Sequence, residues 1–86
     1  MEPYRIIVKQ SVAKDLKKVP QKDVERILSA IQSLAINPRP PQSKKLSGQE
    51  KYRLRQGNYR ILYSIEDRDL IICIVKVGIP LEKLPT

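Results

Sequence analysis

The sequence contains no histidine, no tryptophan and no phenylalanine, and it has one cysteine among 86 residues. Without histidine the chain lacks the usual general acid and base near neutral pH, the Ser-His and Cys-His nucleophile pairs, and the commonest zinc ligand. One cysteine excludes an intrachain disulfide and a metal site built on several cysteines. Any chemistry therefore depends on Lys, Arg, Tyr or carboxylates, and we expect neither a metal nor another cofactor.

The sequence also lacks an apolar segment of membrane-spanning length, and its first residues do not have the charged and then apolar layout of a signal peptide. We therefore predict a cytoplasmic protein without a membrane partner. The length predicts one domain, residues 1–86, with a single modest core.

Positive charge is in excess: 17 Lys and Arg against 9 Asp and Glu give a formal charge of +8. This excess favours nucleic acid or an acidic protein as the partner.

The first half of the chain predicts a strand followed by two helices. Residues 4–9 form a β-branched apolar run that is typical of a strand. Ser11 is expected to cap a short helix that ends at Pro20, and a longer helix is predicted from about residue 21 to 36. The expected core positions are Ala13, Leu16 and Val19 in the first helix and Val24, Ile27, Leu28, Ile31, Leu34 and Ala35 in the second.

The clearest strand pattern lies in residues 51–78. Gly57 supplies the positive φ that a type II′ turn needs at its first central position, so Gly57-Asn58 predicts a two-residue hairpin turn. Counting outward from this turn places Arg55 opposite Arg60. Since side chains alternate along a strand, one face of the hairpin is apolar and the other is basic. The predicted apolar face has Tyr52, Leu54, Tyr59, Ile61 and Tyr63, and the predicted basic face has Lys51, Arg53, Arg55 and Arg60.

A second hairpin is predicted around Asp67-Arg68, with Ile65 paired to Leu70. The strand that follows, residues 70–77, is apolar on both faces and belongs in the middle of a sheet, beside the first strand. Its cysteine, Cys73, is predicted to be a buried structural thiol.

Together these segments predict a two-layer α+β fold. A strand is followed by a two-helix hairpin and then by three to four strands, the first of them a short edge strand at Lys44-Lys45-Leu46. The sheet is expected to be twisted and mostly antiparallel. Both helices are expected on one face, which leaves the basic face uncovered.

The predicted pairing of Arg55 with Arg60 favours an anionic ligand. Like charges opposite each other on neighbouring strands destabilise a sheet by roughly 0.2–1 kcal/mol per pair, so folding gives no reason for the arrangement. A polyanion between the two guanidinium groups gives one. The alternative is that these cations are ordinary solvated side chains on an exposed sheet face. The sequence does not decide between the two interpretations.

In these features the chain resembles the RelE/ParE superfamily of small toxins from type II toxin–antitoxin systems, over nearly its whole length. The resemblance rests on the two-helix first half, on Asn37-Pro38 before the KKLSG phrase of residues 44–48, on YRLRQGNYRILY at residues 52–63, and on VKVG at residues 75–78. KKLSG, YRLR and NYRILY are more similar to the RelE-like branch, which cleaves mRNA in the ribosomal A site, than to the ParE-like branch, which inhibits DNA gyrase.

The resemblance implies a ribosome-dependent mRNA endonuclease, an mRNA interferase that inhibits translation, with the ribosome, mRNA and an acidic antitoxin as partners. It places Arg53, Arg55 and Arg60 at the scissile phosphate. Arginine suits that position because its planar guanidinium holds two phosphate oxygens and stays charged. We expect Arg60 to stabilise the phosphorane, with the other two arginines beside it.

Three lysines, Lys44, Lys45 and Lys51, are expected to bind the RNA backbone. For Lys44 and Lys45 the alternative is that they are solvated lysines of an edge strand. The general base stays open between Lys51 and a group supplied by the RNA or the ribosome.

The chain departs from the family's pattern after Gly78. Active RelE-like members usually have a basic residue or histidine, an arginine and then a tyrosine here, whereas residues 79–86 are IPLEKLPT. Loss of one transition-state contact commonly lowers a rate by about 10²–10³, so we expect weakened cleavage. Two other functions therefore stay open: a protein that binds RNA or antitoxin without cutting, and a ParE-like gyrase inhibitor.

Overall fold

The computed structural model describes residues 3–46, 48 and 50–78. These residues form β1 (Arg5–Val8), α1 (Gln10–Leu16), α2 (Gln21–Ser33), β2 (Ser43–Lys45), β3 (Lys51–Gln56), β4 (Tyr59–Glu66) and β5 (Ile71–Gly78). The strands form one sheet in the order β1-β5-β4-β3-β2, in which β1 is parallel to β5 and the other neighbours are antiparallel. The predicted α+β fold is confirmed.

Both helices contribute to one apolar core on the same face of the sheet. α1 packs mainly on β5, and α2 packs on β3. Burial alternates along β3 and β4, as expected for strands with one face against helices. The buried side chains are Val12, Val19, Ile27, Ile31 and Leu34 from the helical layer and Leu54, Tyr59, Ile61, Tyr63, Ile72, Ile74 and Val77 from the sheet.

The helix boundaries differ from those predicted. α1 begins after Lys9, so Ser11 lies inside the helix and does not cap it. Val12 is fully buried, and Ala13 is exposed. Steps of three residues drift by about 60° around a helix, whereas a step of four keeps Val12 and Leu16 on nearly the same side. α1 ends at Leu16 and not at Pro20, so Val19 reaches the core from beyond the helix.

α2 ends earlier than predicted, at Ser33, and a turn follows at residues 34–36. The Ser33 hydroxyl donates a hydrogen bond to the Ala30 carbonyl within the last turn of the helix. Leu28, predicted as a core residue, is 41% exposed, because it lies at the margin of the stripe centred on Ile27 and Ile31. None of the helices in the described residues is long and apolar enough to cross a membrane.

The predicted register of β3 and β4 is confirmed in every pair, from Gln56 with Tyr59 to Lys51 with Ser64. Gly57 has a φ of 61°, and no positive φ occurs at Asn58, as a type II′ turn requires.

The predicted register of β4 and β5 is wrong. The turn takes up residues 67–70, so Ile65 pairs with Ile72 and not with Leu70. Leu70 closes this turn with a φ of 55°, a left-handed conformation that is unusual for a branched side chain. Cys73 is half-buried, not buried, because it pairs with Ser64 on the face of the sheet away from the helices.

Candidate nucleic-acid interface

The three predicted arginines lie together on the face of the sheet opposite the helices, which we call the outer face. Leu54 and Ile61 are buried toward the helices, so their neighbours along β3 and β4 point the other way. Arg55 and Arg60 are exposed and pair directly across the two strands, and Arg53 is partly exposed. The like-charge pairing expected from the hairpin is therefore present.

The strand pairings extend this group into two rows across the outer face. One row consists of Lys44, Arg53, Leu62 and Lys76, and the other consists of Arg55, Arg60 and Gly78.

Lys76 reaches the outer face through an irregularity in β5. Leu62 pairs with Lys76 but Tyr63 pairs with Ile74, so Val75 is an extra residue without a partner in β4. With regular alternation Lys76 would share the core face of Ile74. The extra residue reverses the alternation, as a β-bulge does, and Lys76 is exposed while the next residue is buried.

A surface depression of about 230 Å³ lies where these rows meet. Gly78, which has no side chain, leaves space opposite Arg60. The depression combines cations with leucine walls, and a charge beside apolar groups is less screened than one in open water. Its lining residues are Leu46, Arg53, Arg60, Leu62, Lys76 and Gly78.

Two larger depressions, of about 280 and 300 Å³, lie along α2 on the helical side of the sheet. Both have Arg26 as their cation. In the first, the hydroxyl of Tyr59 donates a 2.8 Å hydrogen bond to Asp23, and this bond raises the pKa of Tyr59. These depressions are therefore poorer sites for an anion than the one on the outer face.

The structure separates the three lysines predicted to bind RNA. Lys44 pairs with Arg53, and Lys51 pairs with Ser64, so both lie on the outer face with the arginines. Lys45 pairs with Tyr52, on the opposite face, and its Nζ lies 3.7 Å from Glu50 Oε2. Adjacent residues of a strand point to opposite faces, so Lys44 and Lys45 do not act on one surface.

The ion pairs of the described residues leave the outer-face cations uncompensated. These pairs are Lys45 with Glu50 and Arg39 with Asp67, and neither includes a residue of the two rows. The outer face therefore carries a positive field suited to a polyanion. Within the described part of the chain, no three His, Cys, Asp or Glu side chains cluster closely enough to hold a metal ion.

The predicted tyrosines face the helical side, where they support the basic strands. Tyr59 and Tyr63 are buried, and the rings of Tyr52 and Tyr63 stack with centroids 5.7 Å apart. The Tyr63 hydroxyl donates a 2.7 Å hydrogen bond to the carbonyl of Pro38, and burial raises the pKa of Tyr63.

A polar cluster ties the segment before β2 to the turn between β4 and β5. Arg39 donates to both carboxylate oxygens of Asp67, at 2.9 and 3.3 Å, and its Nε donates to the Tyr52 hydroxyl at 3.1 Å. The Tyr4 hydroxyl donates to Asp67 at 2.7 Å. The bond from Arg39, followed by that from Tyr4, lowers the pKa of Asp67, and the bond to Asp67 raises the pKa of Tyr4.

Comparison with known proteins matches the chain over nearly its whole length. A family model described as the ParE toxin of type II toxin-antitoxin system, parDE, matches residues 6–79. A protein named RelE1 from Methanocaldococcus jannaschii is 32% identical over 79 residues, which cover 87% of this chain and 88% of that protein. The residues matched by the family model include every cation of the two rows on the outer face.

Solved structures agree with these sequence matches. A chain of the archaeal RelE-RelB complex from Pyrococcus horikoshii OT3 superposes with a TM-score of 0.81 at 31% identity, covering 91% of this chain and 96% of that one. A chain of the toxin-antitoxin complex RelBE2 from Mycobacterium tuberculosis superposes with a TM-score of 0.78 at 26% identity, covering 88% of this chain and 96% of that one.

Proposed function

The chain belongs to the ParE toxin family of type II toxin–antitoxin systems, within the RelE/ParE superfamily, and from this premise we propose that it is a ribosome-dependent mRNA endonuclease. One observation carries the proposal: Arg55 and Arg60 face each other on the outer face, with Arg53 in the adjacent row. The strands hold like charges together there, and an RNA backbone would neutralise them. The relatives named RelE support the same assignment.

The proposed reaction is attack by a ribose 2′-hydroxyl on the adjacent phosphate. It needs a proton taken from the nucleophile, stabilisation of the phosphorane charge and a proton given to the leaving oxygen. Arg53 and Arg60 both line the depression on the outer face, so a phosphate seated there would meet a guanidinium group from each of two strands. Arg55 lies opposite Arg60 and would bind a neighbouring phosphate or share the same one.

The other predicted residues take supporting positions in this proposal. Lys44 and Lys51 would bind RNA on either side of the arginines, and Lys45 would bind RNA that passes around the edge strand β2. The base would be Lys51 or a group of the RNA or the ribosome. The sequence has no Arg, His or Tyr after Gly78, and residues 79–86 lie outside the described part of the chain. We propose cleavage slower by about 10²–10³ than in members that have those groups.

An acidic antitoxin is the proposed cytoplasmic partner. Relatives of this chain occur in the RelE-RelB and RelBE2 complexes. The uncompensated charge of the outer face would attract an acidic chain and bind it in competition with RNA.

The test is expression of the chain in growing cells with mapping of mRNA 5′ ends. We expect growth arrest with cuts inside translated codons, and Arg60→Ala is expected to relieve the arrest. Lys22→Ala, an exposed lysine of α2 on the helical layer, is the matched control and is expected to arrest growth like the unmodified chain. Arrest without mRNA cuts would exclude the endonuclease.

A gyrase-directed toxin is the second candidate, because the matching family model is described as ParE. Plasmid topology in the same arrested cells separates the two. Loss of negative supercoiling with intact mRNA supports gyrase inhibition. Normal supercoiling with intact mRNA supports a protein that binds RNA without cutting it.

A further inference from the structure

We infer that Lys76 binds a phosphate group of the RNA backbone together with Arg53 and Arg60. The inference deepens the proposed function and rests on it. Neither regular alternation along β5 nor the pattern of basic residues in β3 and β4 predicts that Lys76 lies on the outer face. It lies there because of the irregularity at Val75.

The first argument is the geometry of the row that crosses Arg53, Leu62 and Lys76. Neighbouring strands lie about 4.8 Å apart, so the backbones of Arg53 and Lys76 are separated by roughly 10 Å, with Leu62 between them. Long side chains from both sides can converge above the leucine. A phosphate group in the depression would then have Leu62 beneath it and a cation on each side.

The second argument is the placement of a lysine in an apolar strand. Ile72 and Ile74 face the core, and a lysine two residues further along a regular strand would be buried, which is strongly unfavourable without a partner. β5 avoids this through its extra residue, Val75, and Lys76 becomes exposed. An apolar side chain at position 76 would need no such irregularity.

The third argument is electrostatic. Lys76, Arg53 and Arg60 line one depression, and none of them has an acidic partner among the ion pairs of the described residues. A third cation adds repulsion to the folded protein, and no ion pair of the described residues offsets it. A phosphate group removes the repulsion, and its charge is matched by cations from three adjacent strands.

The position of Lys76 is relevant to the divergent sequence after Gly78. In active relatives a basic residue usually follows this glycine, and this sequence has none at that position. Lys76 lies across from Leu62, two residues before the strand end at Gly78. It would supply from within β5 a positive charge that those relatives place beyond the glycine. Lysine acts here as a point charge, so arginine should replace it without loss of the phosphate contact.

The experiment measures RNA affinity separately from cleavage. A short single-stranded oligoribonucleotide with 2′-O-methyl groups, which cannot be cut, is titrated with the unmodified chain and with its Lys76→Met, Lys76→Arg and Lys22→Met variants across a range of salt concentrations. Lys76→Met should bind several-fold more weakly at low salt, with a slope of log K against log salt that is shallower by about 0.7, the value for one phosphate contact on a single strand. Lys76→Arg and Lys22→Met should keep the slope.

The outcomes separate this inference from the proposed function. An unchanged slope in Lys76→Met, with a slope reduced by Arg60→Ala, overturns the role of Lys76 and leaves the endonuclease in place. If the salt slope depends on Lys76 but the chain makes no mRNA cuts, the inference is supported and the proposed endonuclease activity is contradicted. An equal loss in Lys22→Met, or no RNA binding by the unmodified chain, overturns the inference whatever the cleavage result.

Discussion

The carboxylate of Asp15 in α1 accepts a hydrogen bond from the backbone N–H of Val77 in β5, across 3.3 Å. β1 pairs with β5 only as far as Ile74, because β1 ends at Val8. Beyond that point a helix side chain supplies an acceptor to β5 in place of a strand. The contact holds the residue next to Lys76, so the helical layer fixes the segment of β5 that follows its irregularity.

Removal of this contact should destabilise the protein. Asp15→Ala is expected to lower the free energy of unfolding by about 1–2 kcal/mol, because the N–H of the buried Val77 loses a charged acceptor. Asp15→Asn keeps an acceptor oxygen and should lose less. Urea unfolding measures the difference, with Glu25→Ala, an exposed carboxylate of α2, as the control. Equal losses for the Ala and Asn variants would show that the hydrogen bond is not the cause.

The turn at Gly57 gives a prediction about backbone conformation alone. Gly57 has a φ of 61°, and a Cβ placed on it would meet nothing within 4 Å. Gly57→Ala should therefore lower the free energy of unfolding by about 1 kcal/mol through left-handed strain. Asn58→Ala, at a position without positive φ, is the control; a loss there as large as in Gly57→Ala would contradict the assignment of strain.

The same glycine explains why sequence alone predicted the β3–β4 hairpin. A local residue with a special φ fixes the turn, and the turn then fixes every pair up to Lys51 with Ser64. The β4–β5 turn has no such signal. Leu70 takes a positive φ although leucine does not favour it, and its carbonyl accepts a bond from the Arg5 N–H at 2.7 Å, so contacts distant in sequence hold that conformation.

The residues of the candidate site also differ in whether the sequence alone predicts their position. Arg53, Arg55 and Arg60 follow from alternation about a known turn. Lys76 does not, because it depends on an extra residue in β5 that is defined only by pairing with β4. Lys44 and Lys45 must point to opposite faces, but only the register of β2 with β3 shows which of the two joins the arginines.

The polar cluster at Asp67 predicts a dependence of stability on pH. Hydrogen bonds from Arg39 and Tyr4 lower the pKa of Asp67 below its ordinary value of 3.8. A carboxyl with a lowered pKa in the folded state stabilises the protein above the unfolded value, and this contribution is lost as the pH falls through the folded value. Asp67→Asn should therefore lower the melting temperature at neutral pH, and the gap to the unmodified protein should close below about pH 4.

Melting temperatures between about pH 2.5 and pH 7 test this prediction. Asp69→Asn is the matched control, since Asp69 is an exposed carboxylate of the same turn and takes no part in the hydrogen bonds of the cluster. A gap between Asp67→Asn and the unmodified protein that stays constant over the whole range would contradict the assignment to Asp67.

The pairing of Arg55 with Arg60 predicts opposite changes in stability and binding. Arg55→Gln should raise the free energy of unfolding at low salt by roughly 0.2–1 kcal/mol, because it removes the repulsion between directly paired cations. It should also weaken RNA binding, since one phosphate contact is lost. Urea unfolding and titration with the uncleavable oligoribonucleotide measure the two effects on the same samples.

Salt and a second substitution show whether repulsion is the cause. The gain in stability should shrink at about 1 M salt, where the screening length falls to roughly 3 Å. Arg60→Gln should give a similar gain, and the double variant should gain less than the sum of the two, because either substitution already removes the shared repulsion. A fall in both stability and affinity would mean that Arg55 contributes to the fold. A rise in stability with a fall in affinity would mean that the sheet retains a repulsion which only its anionic ligand relieves.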